Sequence, residues 1–185
     1  MAWIKTIDES EAKGELQKLY EQVKNKRGKL ANIMKIQSLN PKAMKAHMDL
    51  YMRLMFGKSG LSRQEREIIA VVVSAANGCE YCINHHAQAL DHYWKDEAKL
   101  NALIADPKSL DLSERVDNMI DYVVQLTTKP SELTSSQINR LKDTGFSDED
   151  ILNINMIAAY FNFVNRIALG LGVEFTPDEI EGYKV

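Results

Sequence analysis

Several things are scarce in this chain, and each scarcity narrows the reading. It holds only two cysteines among 185 residues, too few for the disulfide framework of a small secreted scaffold. It has no basic surplus, with a formal net charge of -3, and no concentrated stripe of Lys and Arg, so nothing in it points to nucleic acid. The longest apolar run, Ile68 to Val73 with Ala75 and Ala76 beyond Ser74, is too short to span a bilayer. No charged stretch followed by an apolar one opens the sequence, so the expectation is a cytoplasmic protein. A glycine-rich phosphate loop is lacking, as is any flavin, haem or nicotinamide motif, and no cofactor is expected. No period-2 alternation marks a strand.

What is present is helical periodicity nearly throughout. The apolar share of 45% is ample for one core, and no linker justifies a cut, so a single domain over residues 1–185 is expected. Helices are predicted over Thr6–Val23, with Ser10 as a start, and over Leu30–Leu39. The next runs from Pro41 to about Phe56 with Asn40 as its cap, and its Met44, Met48, Met52 and Met55 serve core packing or an interface. Ser62 with Glu65 forms a capping box for a buried central helix ending at Asn77-Gly78. Cys79 opens a further helix reaching about His92. Others are predicted at Trp94–Ala105, Ser113–Thr127, Ser135–Asp143 and Ser147–Leu169, with Glu174–Val185 as a tail. The run from Lys24 to Lys29 reads as a solvated loop.

Both cysteines fall in Cys79-Glu80-Tyr81-Cys82, with His86 four residues after Cys82. A CxxC in a reducing compartment points to thiol chemistry. Three features are placed to favour a thiolate: a helix start with unpaired N–H groups, an imidazole on the same helix face as Cys82, and Glu67 on the preceding helix, which a helical hairpin brings toward His86. Cys82, which has the histidine, is the expected attacking sulfur and Cys79 the resolving one, the roles reversing if Cys79 is the more exposed. A zinc site built from Cys79, Cys82, His86 and Glu67 is the competing reading. His85 is expected on the surface or at an interface.

Glu67, the CxxC and His86, within Arg63 through Leu90, resemble the active-site signature of the alkyl hydroperoxidase D-like (AhpD-like) proteins of the carboxymuconolactone decarboxylase superfamily, with a core signature over residues 60–92. Leu39-Asn40-Pro41 and Tyr160-Phe161-Asn162-Phe163-Val164-Asn165-Arg166-Ile167-Ala168 resemble its peroxidase-related branch. The resemblance implies an all-α single-domain bundle with the CxxC at the N-terminus of a central helix, and assembly into trimers or hexamers. It implies reduction of organic hydroperoxides, or relay of electrons to a peroxiredoxin-type partner, at the expense of a thiol or dithiol reductant. Cys82 is then peroxidatic, Cys79 resolving, and His86 with Glu67 the proton relay. Better-studied members place a second histidine where this chain has Tyr81, so the relay is shorter here. Decarboxylase members lack the CxxC, which disfavours lactone decarboxylation. A non-enzymatic redox-sensing oligomer is the remaining alternative.

Overall fold

The computed structural model describes residues 2–176 and Glu179. Among these the chain is all-α, with no strand. The helices are α1 (Gly14–Arg27), α2 (Asn32–Lys35), α3 (Pro41–Phe56), α4 (Arg63–Ala76), α5 (Glu80–Trp94), α6 (Glu97–Ala105), α7 (Glu114–Thr128), α8 (Ser135–Asp143) and α9 (Asp148–Gly170). Short 3-10 turns at Pro107–Ser109 and Pro130–Glu132 flank α7. No helix of the described residues is long and apolar enough to cross a membrane.

Helix α4 is the axis of the fold. Ile68 through Val73 are all buried, so the helix has no solvent face along this stretch and must be covered on every side. It packs against α5, α7 and α9. Burial of each Ile or Val side chain in this stretch contributes about 1.5–3 kcal/mol. The Ser62–Glu65 capping box is formed, with Oγ of Ser62 accepting from the Glu65 N–H at 3.1 Å and the Glu65 carboxylate accepting from the Ser62 N–H at 2.7 Å. A smaller cluster joins Leu16, Leu19, Tyr20 and Val23 of α1 to Met44 and Met48 of α3. Met44, Met48 and Met55 are therefore core residues of the chain itself.

Four local expectations differ from the structure. Helix α1 begins at Gly14, not Thr6, because Gly14 adopts φ +60° and breaks helical continuity. The strand of chain before it is held from outside: the Tyr20 hydroxyl donates to the Ile7 carbonyl at 2.7 Å and the Ile7 N–H to Ser38 Oγ at 2.9 Å. At its other end α1 runs to Arg27 and stops at Gly28, whose φ of 85° suits a helix terminus. Lys24, Lys26 and Arg27 thus lie in a last helical turn, where the dipole favours cations, and not in a loop. The stretch predicted from Leu30 to Leu39 keeps only α2. A single helix from Trp94 is also corrected, since Trp94 ends α5, Lys95 turns at φ 51°, and Asp96 caps α6 by accepting from the Lys99 N–H at 3.0 Å. The predicted tail lies for the most part outside the described residues.

Candidate active site

The site grows from the junction of α4 and α5. Gly78 adopts φ 66° just past the end of α4. The Gly78 N–H donates to the Ala75 carbonyl at 3.0 Å and the Cys79 N–H to the Ser74 carbonyl at 2.9 Å. This paired pattern is a Schellman motif, which satisfies the last carbonyls of a helix. Cys79 is at once the end of that motif and the N-cap of α5. One residue thus closes one helix and opens the next, and the hairpin folds α5 back along α4.

That folding brings Glu67 to His86. His86 Nδ1 lies 2.6 Å from Glu67 Oε2, and Arg63 Nη2 lies 2.5 Å from Glu67 Oε1. Glu67 is fully buried, at 0% exposure, and its two oxygens face an imidazole and a guanidinium, the kind of partners a buried carboxylate requires. The carboxylate accepts the Nδ1 proton, which leaves Nε2 of the ring as the basic nitrogen. Phe161 packs edge-on against the imidazole, centroids 4.6 Å apart at 80°. Ring orientation and tautomer are therefore both fixed by neighbours.

Cys82 lies one turn before His86 and Cys79 about one turn before that. Both are free thiols and almost wholly buried, at 1% for Cys79 and 2% for Cys82. They differ in what they face. A cavity of about 400 Å³ is lined by Cys82, His86, Glu67, Tyr160 and Tyr81 among others, and Cys79 is not part of its wall. The thiol of Cys79 is lowered to about 7, chiefly by a hydrogen bond from the Cys82 thiol. Burial opposes this, and the Cys82 N–H at the helix start and the Asn165 amide assist it. Cys82 is pushed well above the ordinary thiol range by the same hydrogen bond, by burial and by negative charge on Cys79. Of the two thiols, Cys79 is therefore the one biased toward the thiolate, whereas the sequence places that bias on Cys82. The helix N-terminus and the partner thiol act on the N-cap sulfur more strongly than the spacing alone reveals.

Of the four residues expected together, Glu67 pairs with His86, Cys82 shares their cavity, and Cys79 lies beside Cys82 off the cavity wall. Three further residues stand at the site. Arg63, four residues before Glu67 on the same helix face, fits the i,i+4 pairing rule and could have been found by it. Asn165 is wholly buried within an apolar face of α9 and donates to Ser74 Oγ at 3.1 Å; a polar residue at a core position was the available signal. Tyr160 lies in the stretch that resembles the peroxidase-related branch, but no spacing or pairing rule singles it out. His85, expected at the surface or at an interface, lines the cavity with 13% of its side chain exposed, and its Nδ1 lies 2.8 Å from the Tyr81 carbonyl. Burial lowers its pKa to about 4, so it is neutral near pH 7. The Tyr81 hydroxyl accepts from the Ile33 N–H at 3.1 Å and donates to Glu179 at 2.6 Å, which ties the start of α5 to α2 and to the C-terminal segment. The zinc arrangement is not formed: among the described residues no group of three or more His, Cys, Asp or Glu is placed to hold a metal ion.

The carboxymuconolactone decarboxylase family pattern matches residues 41–123. The crystal structure of a peroxidase-related protein from Silicibacter sp. TM1040 is 30% identical, with a TM-score of 0.83 over 92% of this chain and 89% of that one. The chain is an AhpD-like member of the carboxymuconolactone decarboxylase superfamily. A second structure, a peroxidase-related protein from Ralstonia eutropha JMP134 described as an alkylhydroperoxidase AhpD core, is 25% identical, with a TM-score of 0.87 over 97% of this chain and 94% of that one. The debrominase Bmp8, at 22% identity and a TM-score of 0.77 over 95% and 96% of the two chains, shares the fold. The likeness in fold thus covers 92% and 97% of this chain in the two peroxidase-related structures, beyond the matched family segment.

Proposed function

We propose that this protein is a thiol peroxidase that reduces organic hydroperoxides through a Cys79–Cys82 dithiol–disulfide cycle. The observation that supports it most is the division of the site. Cys82 faces the cavity beside a histidine whose tautomer is fixed by Glu67 at 2.6 Å, and Cys79 stands behind it off the cavity wall. A small hydroperoxide entering the cavity meets Cys82 first. Nε2 of His86 takes the Cys82 proton, and the thiolate attacks the terminal peroxide oxygen. The S–O bond forms as the O–O bond breaks. The imidazolium returns its proton to the departing alkoxide, giving an alcohol and a Cys82 sulfenic acid. The Cys79 thiolate then attacks the Cys82 sulfur, and hydroxide leaves to become water on gaining a proton. An external thiol or dithiol reopens the disulfide by exchange and carries away the two electrons.

The near-total burial of Cys82 favours a small substrate over direct attack on a protein disulfide, so relay to a peroxiredoxin-type partner ranks second. A dithiol at rest suits a reducing, cytoplasmic compartment. Exposed Leu152, Met156 and Phe163 along α9 offer an apolar surface for the trimeric or hexameric assembly that the family likeness implies.

The test is peroxide consumption by the reduced protein with a dithiol supplied. Wild type should turn over an alkyl hydroperoxide, Cys82→Ser should not, and Cys79→Ser should accumulate a sulfenic acid or mixed disulfide at Cys82, read by mass. Undiminished turnover in Cys82→Ser refutes the mechanism. A structure of a Bmp8 variant holds 2,3,4-tribromopyrrole, so a bromopyrrole belongs in the same assay. Bromide release with no peroxide consumption overturns the peroxidase reading.

A further inference from the structure

A chain of hydrogen bonds that ends at Tyr160, a residue of the cavity wall, has no part in the steps above. It starts at a main-chain group whose role is unambiguous. The Ile33 carbonyl only accepts, and Gln37 Nε2 lies 2.8 Å from it, so that atom is the amide nitrogen. The same nitrogen lies 2.6 Å from His47 Nδ1, and with its second N–H it donates there. His47 Nδ1 is therefore the acceptor, and the ring proton is on Nε2. Nε2 is 2.6 Å from the Tyr160 hydroxyl, whose oxygen must accept. The hydroxyl hydrogen of Tyr160 is left over. No other hydrogen bond to the Tyr160 hydroxyl is formed among the described residues, and Tyr160 lines the cavity together with Cys82.

The arrangement is held firmly. His47 is buried, its ring 5.4 Å from that of Tyr160 and edge-on to Phe163 at 5.7 Å. Burial lowers its pKa to about 4, so it stays neutral and keeps the tautomer derived above. Burial first, then the charges of Tyr51 and Cys82, hold the Tyr160 phenol well above its ordinary value. It therefore remains an O–H donor at any pH the enzyme would meet, and it feels the charge on the Cys82 sulfur.

We infer that Tyr160 is a catalytic hydrogen-bond donor to the leaving oxygen of the substrate, and that His47 and Gln37 position it by fixing the direction of its proton. This deepens the peroxidase reading and rests on it. When the O–O bond breaks, negative charge collects on the alkoxide oxygen. His86 returns the proton that it took from Cys82, and Tyr160 steadies the charge by a hydrogen bond without itself losing a proton. Such donors act strongly in a desolvated pocket because they are in place before charge develops. A bond accepted by the phenol oxygen from His47 also strengthens the one that the phenol donates.

The experiment measures single-turnover peroxide consumption by pre-reduced protein, comparing tert-butyl hydroperoxide with peroxybenzoic acid. The first expels a strongly basic alkoxide and needs the donor; the second expels a carboxylate and does not. Tyr160→Phe should slow the alkyl substrate about a hundredfold and the peroxy acid by much less. His47→Leu should move the ratio in the same direction, and His47→Gln, which keeps an N–H donor, should restore part of it. A merely structural role would slow both substrates alike. Equal losses for the two substrates, or no loss, in Tyr160→Phe overturn the inference and leave the peroxidase reading intact. Wild-type protein inert toward both substrates overturns the peroxidase reading itself. Should Tyr160→Phe not fold, the two His47 variants decide, and an unchanged substrate ratio in His47→Leu overturns the inference.

Discussion

Replacing Cys79 by serine should change how stability depends on pH, in a window set by the thiol pair. In the folded protein the Cys79 thiol lies at about 7, against an ordinary value of 9.0. Between these values the unfolded chain holds the proton and the native one does not. Stability therefore rises with pH across that window, is complete above the unfolded value, and is lost as pH falls through 7. Each unit of displacement corresponds to ~1.4 kcal/mol, so two units amount to roughly 3 kcal/mol at most. Above pH 9 the sign turns. Cys82 keeps its proton in the native state while the unfolded thiol ionises, and stability declines again. Cys79→Ser removes the first ionisation and, with it, the hydrogen bond and the charge that hold Cys82 up. Serine is also a good N-cap, so the junction of α4 and α5 should survive the change. The assay is urea unfolding of the reduced proteins at half-unit steps from pH 6 to pH 10. Wild type should gain on the variant between pH 7 and 9 by an amount approaching 3 kcal/mol, and the two curves should run parallel below pH 7. Parallel curves throughout would refute the assignment of the shared proton, and with it the view that the N-cap sulfur is the one biased toward the thiolate.

Three other outcomes are expected. Glu67→Gln leaves Arg63 without its carboxylate and weakens the hold on the His86 tautomer; stability should drop by about 3 kcal/mol, the usual cost of breaking a buried ion pair, and stopped-flow peroxide consumption should slow by about tenfold or more. His47, lowered to about 4 from 6.5, stabilises the native state above pH 6.5, and that contribution is lost as pH falls toward 4; chemical denaturation of His47→Gln should show a pH slope shallower by about 3 kcal/mol over this range. Gly172→Ala places a Cβ against the indole of Trp3 at φ +63°, a strained backbone for alanine, and the melting temperature should fall in keeping with a loss of about 1–3 kcal/mol.

The helical class was legible because apolar residues recur at helical spacing with clear punctuation: the Ser62–Glu65 box, Asn40-Pro41 and Asn77-Gly78 all lie where the structure uses them. The limits of α1 were not. Ser10 resembles a cap, yet the positive φ of Gly14 decides the boundary, and the sequence carries no mark of which glycine turns left-handed. Of the site, the i,i+4 spacing of Cys82 and His86 and the hairpin placement of Glu67 were readable because each depends on one helix or one turn. Asn165, Tyr160 and His47 reach the site from α9 and α3, and nothing local records that packing. The placement of the shared proton was hidden for a related reason. Spacing identifies the imidazole near Cys82, but the stronger influences on the sulfurs are each other and the first turn of α5.

The double role of Cys79 has a consequence for motion. Because this residue already terminates α4 and initiates α5, its sulfur and that of Cys82 occupy adjoining positions of one turn before any electron moves. Shuttling between dithiol and disulfide then asks for side-chain rotation while the rods on either side stay put. Amide deuterium uptake along α4 and α5 should be nearly the same in the oxidised and reduced forms, and the hinge of the hairpin behaves as a rigid bracket around a chemically changing pin.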